Sequence, residues 1–304
     1  MNKITVLGSL NMDIVIETKR NPKVGETIMG ESIHYFVGGK GANQGVAASR
    51  VGANVRFLGK LGQDAFGKKI TEELAKEKID LASVTYEMDA ATGIASITKL
   101  PEDNTIIVVS GANGLVDEAY VLDHKVEIMT SDVLLTQLET PFSAVKKGLE
   151  IAKEHSVKTV LNPAPYNREC LDLLDLVDYI TPNELEFTDM CEVLEMKVSN
   201  QNFDDLMIAW QQAHATRLIV TRGAEGVSFI EEDQVVTLPS MKVDVVDTTG
   251  AGDTFNGILA TGLSQELDLE EAILLASRGA SKSVTKLGAQ SGMPKVERLK
   301  ELAE

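Results

Sequence analysis

Several features that define particular protein classes are missing from this sequence of 304 residues. It has only two cysteines, Cys170 and Cys191, and no CxxC pair, which favours reduced thiols over a disulfide framework. The four histidines are scattered, without the spacing of a metal site. No apolar run approaches the ~18 residues that a membrane helix needs, and the apolar segment near the N-terminus is too short for a signal peptide. These absences lead us to expect a cytoplasmic protein whose core needs neither disulfides nor a structural metal.

Basic residues are also scarce. The chain has 29 Lys and Arg against 46 Asp and Glu, a formal net charge of −17. Proteins that bind nucleic acid or anionic membranes need clustered lysine and arginine, and no such cluster is present. We therefore expect neither nucleic acid nor membrane as a partner, and interpret the acidic excess as a solvated surface that aids solubility.

Short β-rich segments alternate with helical patterns along most of the chain. Alternation of this kind predicts βαβ units and a mostly parallel sheet with helices on both faces. Residues 242–246 are also strand-like, and the pattern from residue 268 to the end predicts a nearly all-helical segment. The predicted strands of the sheet are residues 4–7, 55–58, 133–135, 159–161, 179–180 and 218–220.

Two regions break this alternation. Residues 94–100 and 105–110, separated by a Pro-Glu-Asp-Asn turn, predict a β-hairpin. Residues 13–18 and 34–37 predict two more strands with no helix between them. We interpret these segments as a small β-rich appendage, at about 12–38 and 93–111, on a single α/β domain that spans 1–304. An appendage beside a substrate loop can act as a lid that excludes water.

The first segment with chemical content is 38–44, GGKGANQ. Its glycines permit positive φ and close approach of the backbone to a ligand, and Lys40 and Asn43 would offer donors there. An ordinary glycine-rich turn before a helix explains the segment equally well. It is not a Walker A loop, because the GxxxxGK[ST] spacing is absent. It is not a dinucleotide fingerprint either, because Gln44 stands three residues after Gly41.

Segment 247–257, DTTGAGDTFNG, carries the strongest signal. Its small residues 250–252 stand at the start of a predicted helix, where unpaired N–H groups and the helix dipole can bind an anion. Asp253 has two interpretations. Its negative charge can simply stabilise the N-terminus of the helix, or it can act as a base that takes a proton from a substrate hydroxyl. We favour the base, because phosphoryl transfer depends mainly on alignment of the reacting groups and stabilisation of charge, and a carboxylate beside anion-binding amides can provide both.

Two further segments give weaker signals. Asn183 and Glu186, after Thr181-Pro182, fit the first turn of a helix, either as a capping arrangement or as a polar pair that orders water around Mg²⁺ and phosphates. Residues 221–226, TRGAEG, follow a predicted strand, where open α/β sheets bind ligands. A simple hairpin turn fits them almost as well.

Together and in this order, the motifs resemble the ribokinase family of sugar kinases, the phosphofructokinase-B group. The resemblance covers nearly the whole chain and also includes 8–13 (GSLNMD), 137–139 (QLE), 162–165 (NPAP), 181–184 (TPNE) and 286–290 (KLGAQ). It implies a ribokinase-like three-layer α/β sandwich with a mostly parallel central sheet and a small β-sheet lid. It further implies phosphorylation of ribose at O5, with ATP, Mg²⁺ or another divalent cation, and K⁺ as an activating monovalent cation.

The resemblance also implies roles for individual positions. Asp253 would be the base, with an anion hole at Gly250, Ala251 and Gly252. The sugar would contact Asn11, Asp13, Gly39, Lys40, Gly41, Ala42, Asn43, Glu139 and Asp253. The nucleotide would contact Asn183, Thr221, Arg222, Gly223, Ala224, Glu225, Gly226, Gly252 and Ser277. The monovalent cation would lie near Asp247, Thr249, Ser283, Lys286 and Gly288, several of them through backbone carbonyls, and Glu186 would hold magnesium through water.

The proposed sugar-contact set is strongly polar, which suits a compact polyol, whereas adenosine should need an aromatic or apolar wall. Asn11 and Asp13 can both read vicinal hydroxyls, which favours ribose over 2-deoxyribose, since a missing hydroxyl leaves buried polar groups unpaired. Deoxyribose, fructose and adenosine kinases stay open as alternatives, as does a non-catalytic sugar-binding protein on the same fold. A dinucleotide-dependent oxidoreductase is disfavoured, because no GxGxxG follows a predicted strand. If exposed strands of the lid pair with those of a second copy, the protein is a homodimer.

Overall fold

The computed structural model describes residues 2–101, 104–196 and 202–303. Its strands are β1 Lys3–Leu7, β2 Asn11–Glu17, β3 Ser32–Gly38, β4 Asn54–Leu58, β5 Lys60–Gly62, β6 Thr85–Glu87, β7 Gly93–Lys99, β8 Asn104–Val109, β9 Val133–Thr136, β10 Lys158–Leu161, β11 Tyr179–Ile180, β12 Arg217–Thr221, β13 Val227–Glu231 and β14 Gln234–Leu238. Its α-helices are α1 Lys40–Arg50, α2 Ala65–Lys76, α3 Glu118–Asp123, α4 Lys125–Met129, α5 Phe142–Glu154, α6 Glu184–Val193, α7 Phe203–Ala213, α8 Ala251–Ser264 and α9 Leu269–Ser283. Short 3₁₀ helices lie at Gly111–Leu115, Arg168–Leu176, Gly223–Glu225 and Leu299–Ala303.

The central sheet has eight strands in the order β14-β13-β12-β11-β10-β9-β1-β4. Neighbours from β12 to β4 pair in parallel, and β13 and β14 add an antiparallel edge. All six strand segments that the alternation predicts for the sheet lie in it, so that prediction is confirmed. The parallel strands are short apolar runs because helices cover them on both sides.

Two buried hydrophobic clusters lie on opposite faces of this sheet. Successive strand residues point to opposite faces, and Val6 belongs to one cluster while Leu7 belongs to the other. Side chains of α1, α8 and α9 complete the first cluster, and those of α5, α6 and α7 complete the second. The fold is therefore a three-layer α/β sandwich, as predicted.

A second sheet has four strands in the order β3-β2-β7-β8. It contains the predicted hairpin, formed by β7 and β8, and β2 pairs in parallel with β7. Glu102 and Asp103 of the predicted turn lie outside the described residues. The small sheet is joined directly to the large one near its β4 edge, because β2 starts four residues after β1 ends. At its other end, β3 leads straight into α1.

Two local predictions are wrong, the second of them only in part. Residues 242–246 form no strand; Val245 and Val246 are 62% and 60% exposed, so the segment buries no face. The Val246 N–H instead donates to the carbonyl of Val284 at 2.8 Å. The helical prediction from residue 268 holds for α9 but fails for residues 284–298. These residues run through turns, bends and irregular chain before the 3₁₀ helix at Leu299–Ala303, and Gly288 among them has a φ of 87°. A strand needs a neighbouring strand and a helix needs its own backbone hydrogen bonds. The composition of these two segments does not show that such partners are lacking.

Among the described residues, no helix combines the length and the apolar character required to cross a membrane.

Candidate active site

The side chains singled out in the sequence converge at the carboxyl-terminal edge of the central parallel strands, where open α/β sheets bind ligands. β1, β9 and β10 end there and lead into segments 8–13, 137–139 and 162–165. A cavity of about 890 Å³ opens beside this edge, and its lining includes Lys40, Asn162, Asn183, Glu186 and Asp253. Its volume is ample for a nucleotide.

Asp253 lies on the first turn of α8 and is only 7% exposed. Its Oδ2 accepts a hydrogen bond from Asn43 Nδ2 at 2.9 Å, and its Oδ1 accepts one from Gln44 Nε2 at 3.1 Å. Burial raises the pKa of Asp253, while Lys40 and the two amide donors oppose that rise. A buried carboxylate that needs amide donors and a cation to stay ionised has the character of a general base.

The N-terminus of α8 presents its first-turn amides beside this carboxylate. Gly250 caps the helix with φ 78°, and a Cβ there would lie 2.8 Å from the Cβ and the carbonyl oxygen of Ala289. The first helical hydrogen bond runs from Thr254 N–H to the Gly250 carbonyl at 2.8 Å, and the Ala251 N–H turns back to Thr248 at 3.2 Å. The amides of residues 252 and 253 therefore precede the helical ladder and, with the helix dipole, can bind an anion.

Asn256, one turn further along α8, fixes the peptide at Gly252. Its Nδ2 donates to the Gly252 carbonyl at 2.8 Å, while its Oδ1 accepts from Thr181 Oγ1 at 2.6 Å. Both Asn256 and Thr181 are buried and line the cavity. The position of the anion-binding amides is thus tied to the neighbouring strand end.

Asn11, at the start of β2, is 3% exposed and is held by Asn113. Asn113 Nδ2 donates to Asn11 Oδ1 at 2.8 Å, and the same side chain bonds both backbone groups of Leu10, at 2.9 and 3.1 Å. Because the Asn11 oxygen is used in this way, its N–H₂ group is the part that can meet a sugar hydroxyl.

Asp13 and Glu139 add two more carboxylates to this side of the site. A Cβ on Gly38 would collide with the Asp13 carboxylate, so glycine is required there. Glu139 Oε2 accepts from Ser9 Oγ at 2.5 Å and from the Lys40 backbone N–H at 2.9 Å. Burial, with the charges of Glu139 and Asp253, raises the pKa of Asp13 to about 7. The region is rich in acceptors, which suits a ligand with several hydroxyl groups.

The glycines at the start of α1 allow the backbone to approach this region closely. Gly39 caps α1 with φ 88°, and a Cβ there would lie 2.9 Å from Asn11 N and from the Ser9 carbonyl oxygen. Gly41 and Ala42 follow on the buried first turn, where the Ala42 N–H donates to Ser9 at 3.0 Å. The proposed sugar-contact residues are therefore brought together around Asp253.

Most, but not all, of the predicted nucleotide residues line the cavity. Those that do are Asn183, Thr221, Gly223, Ala224, Gly226, Gly252 and Ser277, together with apolar walls at Val227, Met241, Val243 and Val284. Arg222 and Glu225 are not among the lining residues. The Arg222 guanidinium pairs with Glu184 at 3.1 Å and Glu225 at 2.6 Å, and lies 4.8 Å from the centre of the Phe203 ring. Its charge is therefore largely neutralised outside the cavity.

The capping interpretation of Asn183 and Glu186 is confirmed. Asn183 Oδ1 accepts from the Glu186 N–H at 2.9 Å, and Glu186 Oε2 accepts from the Asn183 N–H at 2.8 Å, which is a capping box at the start of α6. Burial raises the pKa of Glu186, opposed by the Asn183 N–H and by Lys40. The capping box and a place in the cavity wall are thus compatible.

In the predicted cation region, Asp247 connects its own loop to the loop that contains Gly288. Its Oδ1 accepts from the Thr249 N–H at 2.9 Å and its Oδ2 from the Gly288 N–H at 2.8 Å. Burial raises the pKa of Asp247, but these N–H donors outweigh it and the pKa is lowered. Ser283 ends α9 and Lys286 lies in the loop before Gly288. The described residues contain no group of three or more His, Cys, Asp and Glu side chains arranged for a metal ion.

Five buried amide side chains at the site were not assigned a role from the sequence: Gln44, Asn113, Gln137, Asn162 and Asn256. Four of them lie inside motifs that the sequence analysis singled out. Their position in those motifs was the only indication in the sequence that they belong to the site, since only the folded structure shows what each amide contacts. Asn113 lies outside those motifs and had no such signal.

Comparison with known proteins defines the class of this site. Residues 1–296 match the model of the pfkB family carbohydrate kinases, and the chain belongs to that family. It is therefore a carbohydrate kinase, as the resemblance predicted.

Within this family, the chain is similar to ribokinases. A ribokinase of Lactococcus lactis is 40% identical over 301 residues, which cover 99% of this chain and 96% of the relative. The crystal structure of a Thermotoga maritima ribokinase is 32% identical, with a TM-score of 0.89 over 100% of this chain and 99% of its own. An Arabidopsis thaliana ribokinase, solved as a complex with ribose and ATP, is 29% identical, with a TM-score of 0.89 over 100% of this chain and 99% of its own.

Proposed function

We propose that this protein transfers the γ-phosphoryl group of ATP to O5 of D-ribose, giving ribose 5-phosphate and ADP. The observation that carries the proposal is the place of Asp253, a buried carboxylate between the polar sugar-contact residues and the nucleotide-sized cavity. Full-length similarity to ribokinases supports ribose as the acceptor.

In this proposal the sugar lies among Asn11, Asp13 and Glu139, whose donor and acceptors match vicinal hydroxyls. Asp253 accepts the proton of the O5 hydroxyl, and O5 forms a bond to the γ-phosphorus as the bond to the bridging oxygen of ADP breaks. The first-turn amides of α8 stabilise the negative charge on the transferring phosphoryl oxygens. Asp253 releases its proton to solvent once the product leaves.

ATP fits the remaining part of the cavity, with phosphates toward α8 and the base toward Ser277 and the apolar wall near Val243. Magnesium held through water suits this part of the cavity wall, because the Glu186 carboxylate can accept hydrogen bonds from water bound to the ion. Bound magnesium would neutralise phosphate charge during transfer.

A monovalent cation, K⁺, fits the loop pair joined by Asp247. The lowered pKa of Asp247 keeps this carboxylate ionised, and the loops around Thr249 and Gly288 offer backbone carbonyls. The same loops continue into Gly250 and Ala289, which pack against each other. A cation there would supply positive charge beside the anion-binding amides.

The four-stranded sheet is proposed as the lid over the sugar and as the surface of a homodimer. Its edge strand β8 leaves Ile106, Ile107, Val108 and Val109 between 52% and 69% exposed. An exposed apolar edge strand is a surface that a second copy can cover. Light scattering at micromolar concentration should give twice the mass of the chain; a monomer mass would contradict this part of the proposal.

An assay that couples ADP release to a spectroscopic signal tests the function directly. Ribose, 2-deoxyribose, fructose and adenosine are compared, each with and without K⁺. We expect the highest kcat/KM for ribose, a weaker activity with 2-deoxyribose, and stimulation by K⁺. Equal or greater efficiency with adenosine or fructose would refute ribose as the acceptor.

A further inference from the structure

Of the two amides that hold the Asp253 carboxylate, only Asn43 belongs to the proposed sugar-contact residues. The other, Gln44, is fully buried on α1 and donates to Asp253 Oδ1 at 3.1 Å. Asn43 is itself anchored, because Gln290 Nε2 donates to Asn43 Oδ1 at 2.9 Å. What Gln44 contributes follows from its own partners.

The orientation of the Gln44 amide is fixed from two sides. Its Oε1 accepts from Gln137 Nε2 at 2.6 Å, and its Nε2 also donates to Asn162 Oδ1 at 3.1 Å. Asn162 Nδ2 donates to the Thr181 carbonyl at 3.1 Å. Because a backbone carbonyl can only accept, it orients Asn162, which in turn directs the Gln44 N–H groups toward Asp253. A flipped Gln44 would place its oxygen against the carboxylate.

Gln137 is held in its orientation by the Gln44 oxygen, to which its Nε2 donates. It is fully buried after β9, and a Cβ on Gly8 would collide with its Oε1. Among the described residues this Oε1 has no hydrogen-bond partner. A buried unpaired acceptor destabilises a fold, yet the alternative rotation would set two amide oxygens face to face. Gln137 therefore keeps its N–H on Gln44.

We propose that Gln44 is the positioning residue of the base: it holds Asp253 as an ionised, acceptor-only carboxylate and aims its remaining lone pairs at the sugar hydroxyl. This inference rests on the proposed role of Asp253. Both carboxylate oxygens face N–H donors, so a proton on either oxygen would meet a donor rather than an acceptor. Lys40 favours the ionised form as well, whereas Glu139 and Asp13 oppose it.

The first test is the pH dependence of kcat in Gln44→Met, whose side chain has a similar length and no donor. Ribose and ATP are kept saturating, so that bound sugar holds Asp13 in one state. Losing a hydrogen bond to a charged group should move the acidic limb of the profile upward by about one to two pH units. The matched control is Gln211→Met: Gln211 is partly buried and donates to the His214 and Thr216 carbonyls, both at 3.1 Å, away from the site. It should lose stability without moving the profile.

A second readout needs no activity. Without the Gln44 donor the folded-state pKa of Asp253 is higher, and an acid with a raised folded-state pKa loses stability as pH rises through that value. The loss in melting temperature of Gln44→Met relative to wild type should therefore grow between pH 5 and pH 8, whereas that of Gln211→Met should stay constant. If Gln44→Met does not fold, Gln137→Met removes the anchor of Gln44 and is measured in the same way.

The outcomes separate this inference from the proposed function. A wild-type protein that phosphorylates no sugar refutes the function, whatever the variants do. An active wild type with an unshifted acidic limb in Gln44→Met overturns the role of Gln44. So does an inactive but folded Gln44→Met whose loss in melting temperature is the same at pH 5 and pH 8.

Discussion

Ribose binding should depend on pH through Asp13. Its carboxyl group is buried beside Glu139 and Asp253, and its pKa is about 7 in the sugar-free protein. If sugar hydroxyls donate to this carboxylate, only the ionised form binds well, because a protonated carboxyl loses acceptor capacity. Lowering the pH should therefore weaken ribose binding over a range where an ordinary aspartate would have no effect.

The magnitude follows from the pKa. Below about pH 7 the ionised fraction falls about tenfold for each pH unit, so the Kd for ribose should rise roughly tenfold at pH 6 and roughly a hundredfold at pH 5 relative to pH 8. Near pH 6, binding should release close to one proton. Stability has the opposite sign: the contribution of Asp13 is present below its unfolded pKa of 3.8 and is lost as pH rises through about 7.

Isothermal titration calorimetry with ribose, in buffers of different ionisation enthalpy, measures both the affinity and the protons released. Asp13→Asn is the control: it should bind ribose more weakly, with an affinity nearly independent of pH from 5.5 to 8. An unchanged Kd for the wild type across this range would refute the reasoning. The same pH slope in Asp13→Asn would assign the titration to another carboxylate.

Two further substitutions test the frame around the base. Gly250→Ala should destabilise the fold by about 1–3 kcal/mol and reduce kcat at least tenfold, because φ is 78° and the new Cβ would lie 2.8 Å from Ala289. In Gly114→Ala the nearest atom lies 3.6 Å from the new Cβ, so similar losses of melting temperature and kcat in both variants would contradict this. Asn113→Leu should weaken ribose binding by about 1–3 kcal/mol, with a smaller change in kcat, because Asn11 loses its partner. An unchanged KM for ribose would show that Asn11 needs no such support.

The parts of the fold that local physics determines were predictable from the sequence. The buried parallel strands are apolar runs beside turns, and the start of α8 is marked by glycines that the left-handed cap at Gly250 requires. The capping box of Asn183 and Glu186 follows from their three-residue spacing. In each case the sequence pattern and the interactions that it produces lie within a few residues of each other.

What depends on distant partners was not predictable. Residues 242–246 have the composition of a strand but pair with no strand in the described part of the chain. Gln44 and Asn43 are adjacent in one motif, yet the partners that orient Gln44 directly follow β9 and β10, about a hundred residues away. Arg222 lies in a glycine-rich turn next to the cavity, but two carboxylates hold it outside. Only the folded chain shows these partners.

The central claim is that Asp253 is the base, and Asp253→Asn tests it most directly. One measurement on the folded variant compares kcat for ribose phosphorylation with the Kd for ribose. Losing a general base should reduce kcat by about 10²–10⁴-fold, while ribose still binds with an affinity near that of the wild type. Turnover close to that of the wild type in this variant would contradict the account.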